Sequence, residues 1–438
     1  MYWEQQMKGF TSKQGLAGAV FLSVFLTACG GGGSDSPNTN TPTTPTVKPP
    51  VVTPPVVTPP IVTPPTDGGT KPPVTTPPVD ETTPPVINPP TSTVGDKVAI
   101  STIKNGNDAN AALAGSNKIS LARQACGLGG VNYNEELTNI SIKHAMYTQH
   151  LFSEKNVGGF NAHGEEELVG LESLTGKANP YFAGIDLQAR LEDANYSNIA
   201  YGTSAENIVH RNHFTPGGMI SSPQYSAIDM AKALLAAPYH FRTLMIPSLT
   251  QTGTGMVMYT PQKKDPNEWK GYIFVNTSSS DKSSAGKSFK GVFTYPCEGV
   301  TDTHTALWNE APSPVYGTGR NLRTDPIGQP IYISMPEATS IKVSNVKFRD
   351  TQRKVDVPIN MLDGSTDPYK NTNYELSPNE AFILPITDGF KSCEVGNKKG
   401  ENCGLYGNTS YTVSYDILVN NSTLQSKSFT FKTGNVNY

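Results

Sequence analysis

Cysteines and histidines are the first places to look for chemistry in this 438-residue chain. The cysteines are Cys29, Cys126, Cys297, Cys393 and Cys403. No two of them stand in a CxxC spacing, which argues against a thiolate metal centre. Beyond Cys29 an even number remains, as suits disulfides in an oxidising compartment. Four cysteines allow three pairings, and sequence alone does not choose among them. We favour Cys393–Cys403, which would close a short hairpin-like loop, and Cys126–Cys297, which would tie the start of one domain to its end. Of the histidines, His144 falls on a helical apolar stripe and reads as a core residue, while His150 reads as a surface group. His210 and His213 would share a face on a helix and could hold a metal there. Their stretch runs into Pro216-Gly217-Gly218, however, and reads as loop. Ser153 has no Gly-x-Ser-x-Gly elbow around it, so it is a poor nucleophile candidate. The run Glu165-Glu166-Glu167 supplies too few oxygens for Ca²⁺ and reads as a solvated loop.

The elements that must position such groups come in two blocks. Helical periodicity covers residues 108–125, 134–152, 185–193 and 227–236. In the second of these, Asn134 is a good N-cap and Glu135 and Glu136 suit the first turn. Leu137, Ile140, His144, Tyr147 and Leu151 then recur at three- and four-residue steps, forming one buried stripe. Strand-like runs follow at 255–259 and 271–275. Residues 301–438 carry short strand-like runs separated by turn-rich stretches, the pattern of a β-sandwich. The expected fold class is α+β, with helices and strands segregated in layers.

The amino terminus has a different logic. Lys8 and Lys13 precede an apolar run of 11 residues, 16–26, too short to span a bilayer, for which about 20 are needed. A charged start, a short apolar core and a small-residue end describe an export signal. Its close, Leu26-Thr27-Ala28-Cys29, resembles the lipobox of bacterial lipoproteins. That resemblance implies lipidation of Cys29, a membrane partner through the lipid, and a signal peptide of residues 1–28. Gly30, rather than Asp, after the cysteine is similar to Gram-negative sorting to the outer membrane, facing either the periplasm or the cell surface. Between Gly31 and Thr93 fall 19 of the 36 prolines, which excludes both helix and sheet there. The repeat Pro49-Pro50-Val51-Val52-Thr53 recurs at 54–58 and, with Ile61 for the first Val, at 59–63. At ~3.1 Å per residue, about fifty such residues reach on the order of 150 Å. We therefore expect residues 29–95 to be a disordered tether. A net charge of −3 gives no bulk attraction to nucleic acid.

Residues 96–300 resemble the CAP superfamily (cysteine-rich secretory, antigen 5 and pathogenesis-related proteins), in its bacterial SCP-like branch. The motifs run in order over 121–275: Leu121-Ala122-Arg123 with a displaced Arg, the 134–152 helix, Phe160-Asn161-Ala162-His163, and Arg190-Leu191 with Tyr196. Then come Ala205-Glu206-Asn207-Ile208, Ala237-Pro238-Tyr239-His240-Phe241-Arg242 and Gly253-Thr254-Gly255. Asn195 replaces a family Gly, and His163 and Glu206 are further apart than usual. The resemblance implies an α-β-α sandwich with a wide groove, and a cavity containing His163, Glu206 and His240. The family's second cavity Glu is missing from the helix before His240. Asp229 or one of Glu165, Glu166 and Glu167 could substitute. Within residues 301–438, Gly328-Gln329-Pro330-Ile331 and Ser428-Phe429-Thr430-Phe431-Lys432-Thr433 are similar to bacterial Ig-like modules.

His163 and His240 as neutral imidazoles would suit Zn²⁺ with a water completing the site, and Glu206 would then be the candidate catalytic base. The same three residues could equally form a buried polar network holding loops together. Three functions follow. The first is an envelope lipoprotein whose CAP groove binds a protein, lipid or peptide. The second is a metal-dependent hydrolase acting on peptide or envelope material. The third is a structural or adhesive surface protein.

Overall fold

The two periodicities fold into a three-layer body followed by a two-sheet body. A computed structural model describes residues 97–436, apart from 156, 159, 200–202 and 395–397. The export signal, the lipidation of Cys29 and the proline-rich tether fall outside the described residues. In chain order the first body comprises β1 (Lys97–Ala99), β2 (Gly106–Asn107), α1 (Ala109–Ala125), β3 (Asn132–Tyr133), α2 (Glu135–Glu154), α3 (Leu187–Asp193) and β4 (Ser204–Phe214). It continues with β5 (Met219–Ser221), α4 (Pro223–Leu235), α5 (Pro238–Leu244), β6 (Gln251–Tyr259) and β7 (Trp269–Ser279). The second comprises β8 (Phe293–Tyr295), β9 (Ala306–Leu307), β10 (Ile327–Gly328), β11 (Ile331–Ser334), β12 (Ile341–Asp350) and β13 (Val355–Asp356). It ends with β14 (Ile359–Asp363), β15 (Glu380–Pro385), β16 (Ser410–Val419) and β17 (Thr423–Lys432).

Helix starts follow their caps. Asp108 accepts from Ala111 N–H at 3.0 Å, and Asn134 from Leu137 N–H at 2.9 Å. The central sheet has the order β2-β6-β7-β4, with β3 also beside β6. Strand alternation sorts its side chains to two faces. Ile208, Val257, Tyr259, Ile273 and Val275 pack with Ala145, Leu151 and Phe152 of α2. Val209, Met256, Met258, Tyr272 and Phe274 pack with residues of α1 and α4. The result is helix, sheet, helix, and the chain is α+β.

Gly253 and Gly255 explain how closely α2 sits. A Cβ at Gly253 would lie 2.0 Å from Thr138 N, and one at Gly255 2.9 Å from Ile142 Cα. Only glycine lets the helix rest on the strand's backbone. Arg123, fully buried, donates to the carbonyl oxygens of Gly129, Leu244, Ile246 and Leu249. It thereby pins the turn after α1 to the end of α5.

In the second body, β14-β15-β11-β8 and β13-β12-β16-β17 form two antiparallel sheets. Ile331, Ile333, Ala381 and Ile383 face the other sheet, while Tyr332, Phe382 and Leu384 face Phe241 and the α4–α5 layer. A sheet covered on both sides has no polar face, which accounts for the unbroken apolar run Ala381-Phe382-Ile383-Leu384. Strand β8 precedes residue 300, the expected boundary, yet pairs with β11. The described residues thus belong to one compact unit. Cys126 pairs with Cys297 and Cys393 with Cys403, the favoured pairing. No helix among the described residues is long and apolar enough to cross a membrane.

Candidate functional site

Five ionisable side chains meet under the loop that follows α2. His144 comes from α2 itself, His163 and Glu165 from the loop, Arg190 from α3 and Glu206 from β4. All are buried, at 4% exposure or less. Arg190 Nη2 donates to both oxygens of Glu206 at 2.8 Å, and its Nη1 donates to the His163 carbonyl at 3.0 Å. His163 Nδ1 lies 3.0 Å from Glu206 Oε1. His144 Nε2 lies 2.9 Å from the Ala162 carbonyl, and Nδ1 lies 2.7 Å from Glu165 Oε1. A carbonyl only accepts, so His144 Nε2 carries a hydrogen, and a second proton sits between Nδ1 and Glu165. Glu165 Oε2 accepts from the N–H groups of Ala183 at 2.7 Å and Gly184 at 3.3 Å.

The charges follow from these contacts. Burial alone would raise the Glu206 carboxyl, but Arg190 and the two imidazoles outweigh it and hold it well below the usual carboxylate range. Burial lowers His163 despite the pull of Glu206, so its ring is neutral near pH 7. Neutral His163 then donates from Nδ1 to the ionised Glu206. Both Glu206 oxygens are engaged by a guanidinium, which is poor preparation for taking a proton from substrate. The arrangement is a closed, hydrogen-bonded lock that fixes loop, helix and strand to one another.

His240 lies elsewhere. Glu206 and Asn207 are adjacent on β4 and so point to opposite faces. Glu206 joins the α2 face, whereas Asn207 accepts from Thr243 Oγ1 of α5 at 2.9 Å. Helix α5, which carries His240, therefore packs on the Asn207 side of β4. His240 Nδ1 is 3.0 Å from Glu310 Oε1, which also accepts from the N–H groups of Tyr239 at 2.7 Å and His240 at 3.1 Å. Glu310 thus caps α5 from the second body. Burial raises its carboxyl well above the ordinary range, against the opposing pull of those N–H groups.

The expected trio is divided accordingly. His163 and Glu206 are brought together, and His240 is partnered by Glu310. Zn²⁺ does not fit the trio: Arg190 holds both oxygens of its carboxylate, and Glu310 holds His240 Nδ1. No group of three or more His, Cys, Asp or Glu among the described residues is arranged to hold a metal.

The remaining candidates fall into place. The solvated-loop reading holds for Glu166 and Glu167, which are exposed, but Glu165 is turned fully inward because His144 and two backbone N–H groups satisfy it. Asp229 pairs with Arg211 and lies 3.4 Å from His304 Nε2. His210 and His213 lie on strand β4 rather than in a loop, and their spacing puts them on opposite faces. His210 bonds Tyr259 Oη and packs on Phe152, while His213 meets Tyr272 edge-on. His144 is buried, and His150 is half-buried against Tyr181. Ser153, half-buried near the end of α2, stands outside the network.

Sequence reasoning gave Arg190 no role, although its motif had marked it. It missed Glu310 entirely, because nothing local distinguishes that residue.

The sequence matches no protein-family model and no curated protein. Among solved structures the chain is similar to the CAP domain of Enterococcal PrgA, at 14% identity and a TM-score of 0.24, over 41% of this chain and 64% of that one. It therefore spans less than two thirds of that structure's length.

Proposed function

We propose that this chain is an envelope lipoprotein that works by binding, presenting a CAP-type body and an Ig-like body as one rigid platform on a proline-rich tether. One observation carries the choice of binding over hydrolysis: Arg190 and His163 saturate Glu206 inside a closed network. A general base must reach the proton it removes, and this carboxylate is committed to holding the fold. The CAP-type reading draws on the ordered motifs, several of which have structural duties here. Gly253 and Gly255 seat α2, Arg190 and Glu206 lock the loop, and His240 docks the second body. The anchor reading draws on Leu26-Thr27-Ala28-Cys29, and the outer membrane is its proposed destination.

The test uses the full chain in a Gram-negative host. Radiolabelled palmitate should be incorporated and the protein should fractionate with the outer membrane, and Cys29→Ala should lose both. The intact protein, assayed against peptide and ester substrates, should show no turnover that Glu206→Gln removes. Turnover lost in that variant while the fold survives would establish the hydrolase reading instead.

A further inference from the structure

The outer edge of the central sheet has a gap. Along β6, β3 covers Gln251 and Thr252, and β2 covers Val257 and Met258. At the two sides of the gap the main chain is satisfied. The Thr252 carbonyl accepts from Asn134 N–H at 2.8 Å, Met256 N–H donates to Asn107 Oδ1 at 3.0 Å, and the Met256 carbonyl accepts from Asp108 N–H at 2.8 Å. Thr254, two residues from each, turns its main chain the same way. Its N–H and carbonyl nevertheless have no hydrogen-bond partner among the described residues. Thr254 lines a cleft of about 170 Å³ whose walls include Leu113 of α1, 42% exposed, and Tyr133 of β3, 63% exposed. Ser116 also lines it, 8% exposed and with no side-chain partner among the described residues. Ala112 and Ile142 add apolar surface, and Glu135 is the one charged residue among the described residues that line the cleft. Polar groups left unpaired at low exposure are costly, and they favour a ligand that pairs them.

We propose that this cleft takes one aliphatic residue of an extended, basic peptide from a partner protein, added antiparallel to β6 at Thr254. A free donor and a free acceptor on one residue of a sheet edge are the template for an added strand. Opposed residues of an antiparallel pair exchange both bonds, so the inserted residue donates its N–H to the Thr254 carbonyl and accepts from Thr254 N–H. Opposed residues also share a face, and Thr254 shares the α1 face of the sheet with Met256. The inserted side chain therefore lies against Ala112 and Leu113, where an aliphatic group fits. Its neighbours on the peptide point to the α2 side, where Glu135 selects a basic residue. The volume limits insertion to a single residue, since drug-sized ligands occupy clefts of about 300–1,000 Å³. The site is separate from the His163–Glu206 lock and from the membrane anchor, so it stands or falls independently of them.

The experiment is ligand-observed saturation-transfer NMR on the full chain with three blocked peptides: acetyl-Lys-Leu-Lys-amide, the same peptide with N-methylleucine, and acetyl-Glu-Leu-Glu-amide. The first should bind. N-methylation removes the donor to the Thr254 carbonyl and should weaken binding by roughly 3- to 10-fold, as one hydrogen bond implies. The acidic peptide should bind more weakly than the first. Glu135→Gln should weaken the first by roughly 2- to 5-fold, as an exposed ion pair implies, and leave the acidic peptide no worse. Ala112→Leu fills the cleft and should abolish binding; if that variant fails to fold, the methylated peptide and Glu135→Gln decide. No binding of the first peptide, equal binding of the methylated one (apolar capture without strand pairing), preference for the acidic peptide, or indifference to Glu135→Gln would overturn the proposal.

Discussion

Replacing Glu206 by glutamine would strip the negative charge from the middle of the buried lock while barely changing its shape. Arg190 would keep its cation within a site where it is 1% exposed. It would lose an ionic partner that it now holds through two contacts of 2.8 Å. The nearest remaining carboxylate oxygen, Glu165 Oε1, is 3.8 Å from Nη1, beyond hydrogen-bond reach. Removing one member of a buried ion pair costs about 3–5 kcal/mol, mostly because the other charge is stranded. At about 2 °C per kcal/mol for a large domain, the melting temperature should fall by roughly 6–10 °C. The assay is thermal and urea unfolding of wild type, Glu206→Gln, Arg190→Met and the double variant. Since Arg190→Met leaves Glu206 stranded in turn, the double variant should be markedly less damaged than the sum of the two. A loss below about 1 kcal/mol in Glu206→Gln, or strictly additive losses, would refute the claim that the two charges exist for each other.

Three further outcomes follow from the same geometry. Burial and neighbouring Arg211 hold His213 down to about 4 from its ordinary 6.5; the unfolded chain therefore binds more protons between those values, stability falls as pH drops from 6.5 towards 4, and His213→Gln should flatten that part of a urea-midpoint-against-pH curve. Glu310, raised by burial, should tolerate Glu310→Gln within about 1 kcal/mol because an amide oxygen still accepts from the N–H groups of α5, whereas Glu310→Ala strands those donors and should cost about 1–3 kcal/mol by urea unfolding. Replacing both cysteines of the Cys126–Cys297 pair, 171 residues apart, should cost about 5 kcal/mol by loop entropy, against about 3 for Cys393–Cys403, 10 apart, measured by the same unfolding assay.

Much of the scaffold was legible because local rules governed it. Helical periodicity announced α1, and the cap Asn134 announced α2; Gly253 and Gly255 stood out as a motif, though their seating of α2 did not. Strand β4 was not legible. Glu206, Asn207, His210 and Arg211 make it look like a polar loop, and only tertiary partners satisfy those side chains. That omission hid the parity that sends Glu206 to His163 and its neighbour Asn207 to Thr243 of α5. Glu165 was misjudged for a related reason. An acid inside an acidic run looks solvated, and its burial depends on His144, 21 positions away. Glu310 lies 70 positions from His240 and carries no periodic signal at all.

The long disulfide also has a mechanical meaning. Cys126 and Cys297 have their Cα atoms 5.7 Å apart while enclosing a stretch of chain 171 positions long. Fully drawn out at ~3.4 Å per residue, that stretch would add on the order of 600 Å to the molecule. A pull between the two ends of the described chain bypasses it through the sulfur bridge. The sheet with β4, β6 and β7, helices α2 to α5 and strand β8 are thus shielded from load, and the leading segment and strands β9 to β17 are left to yield.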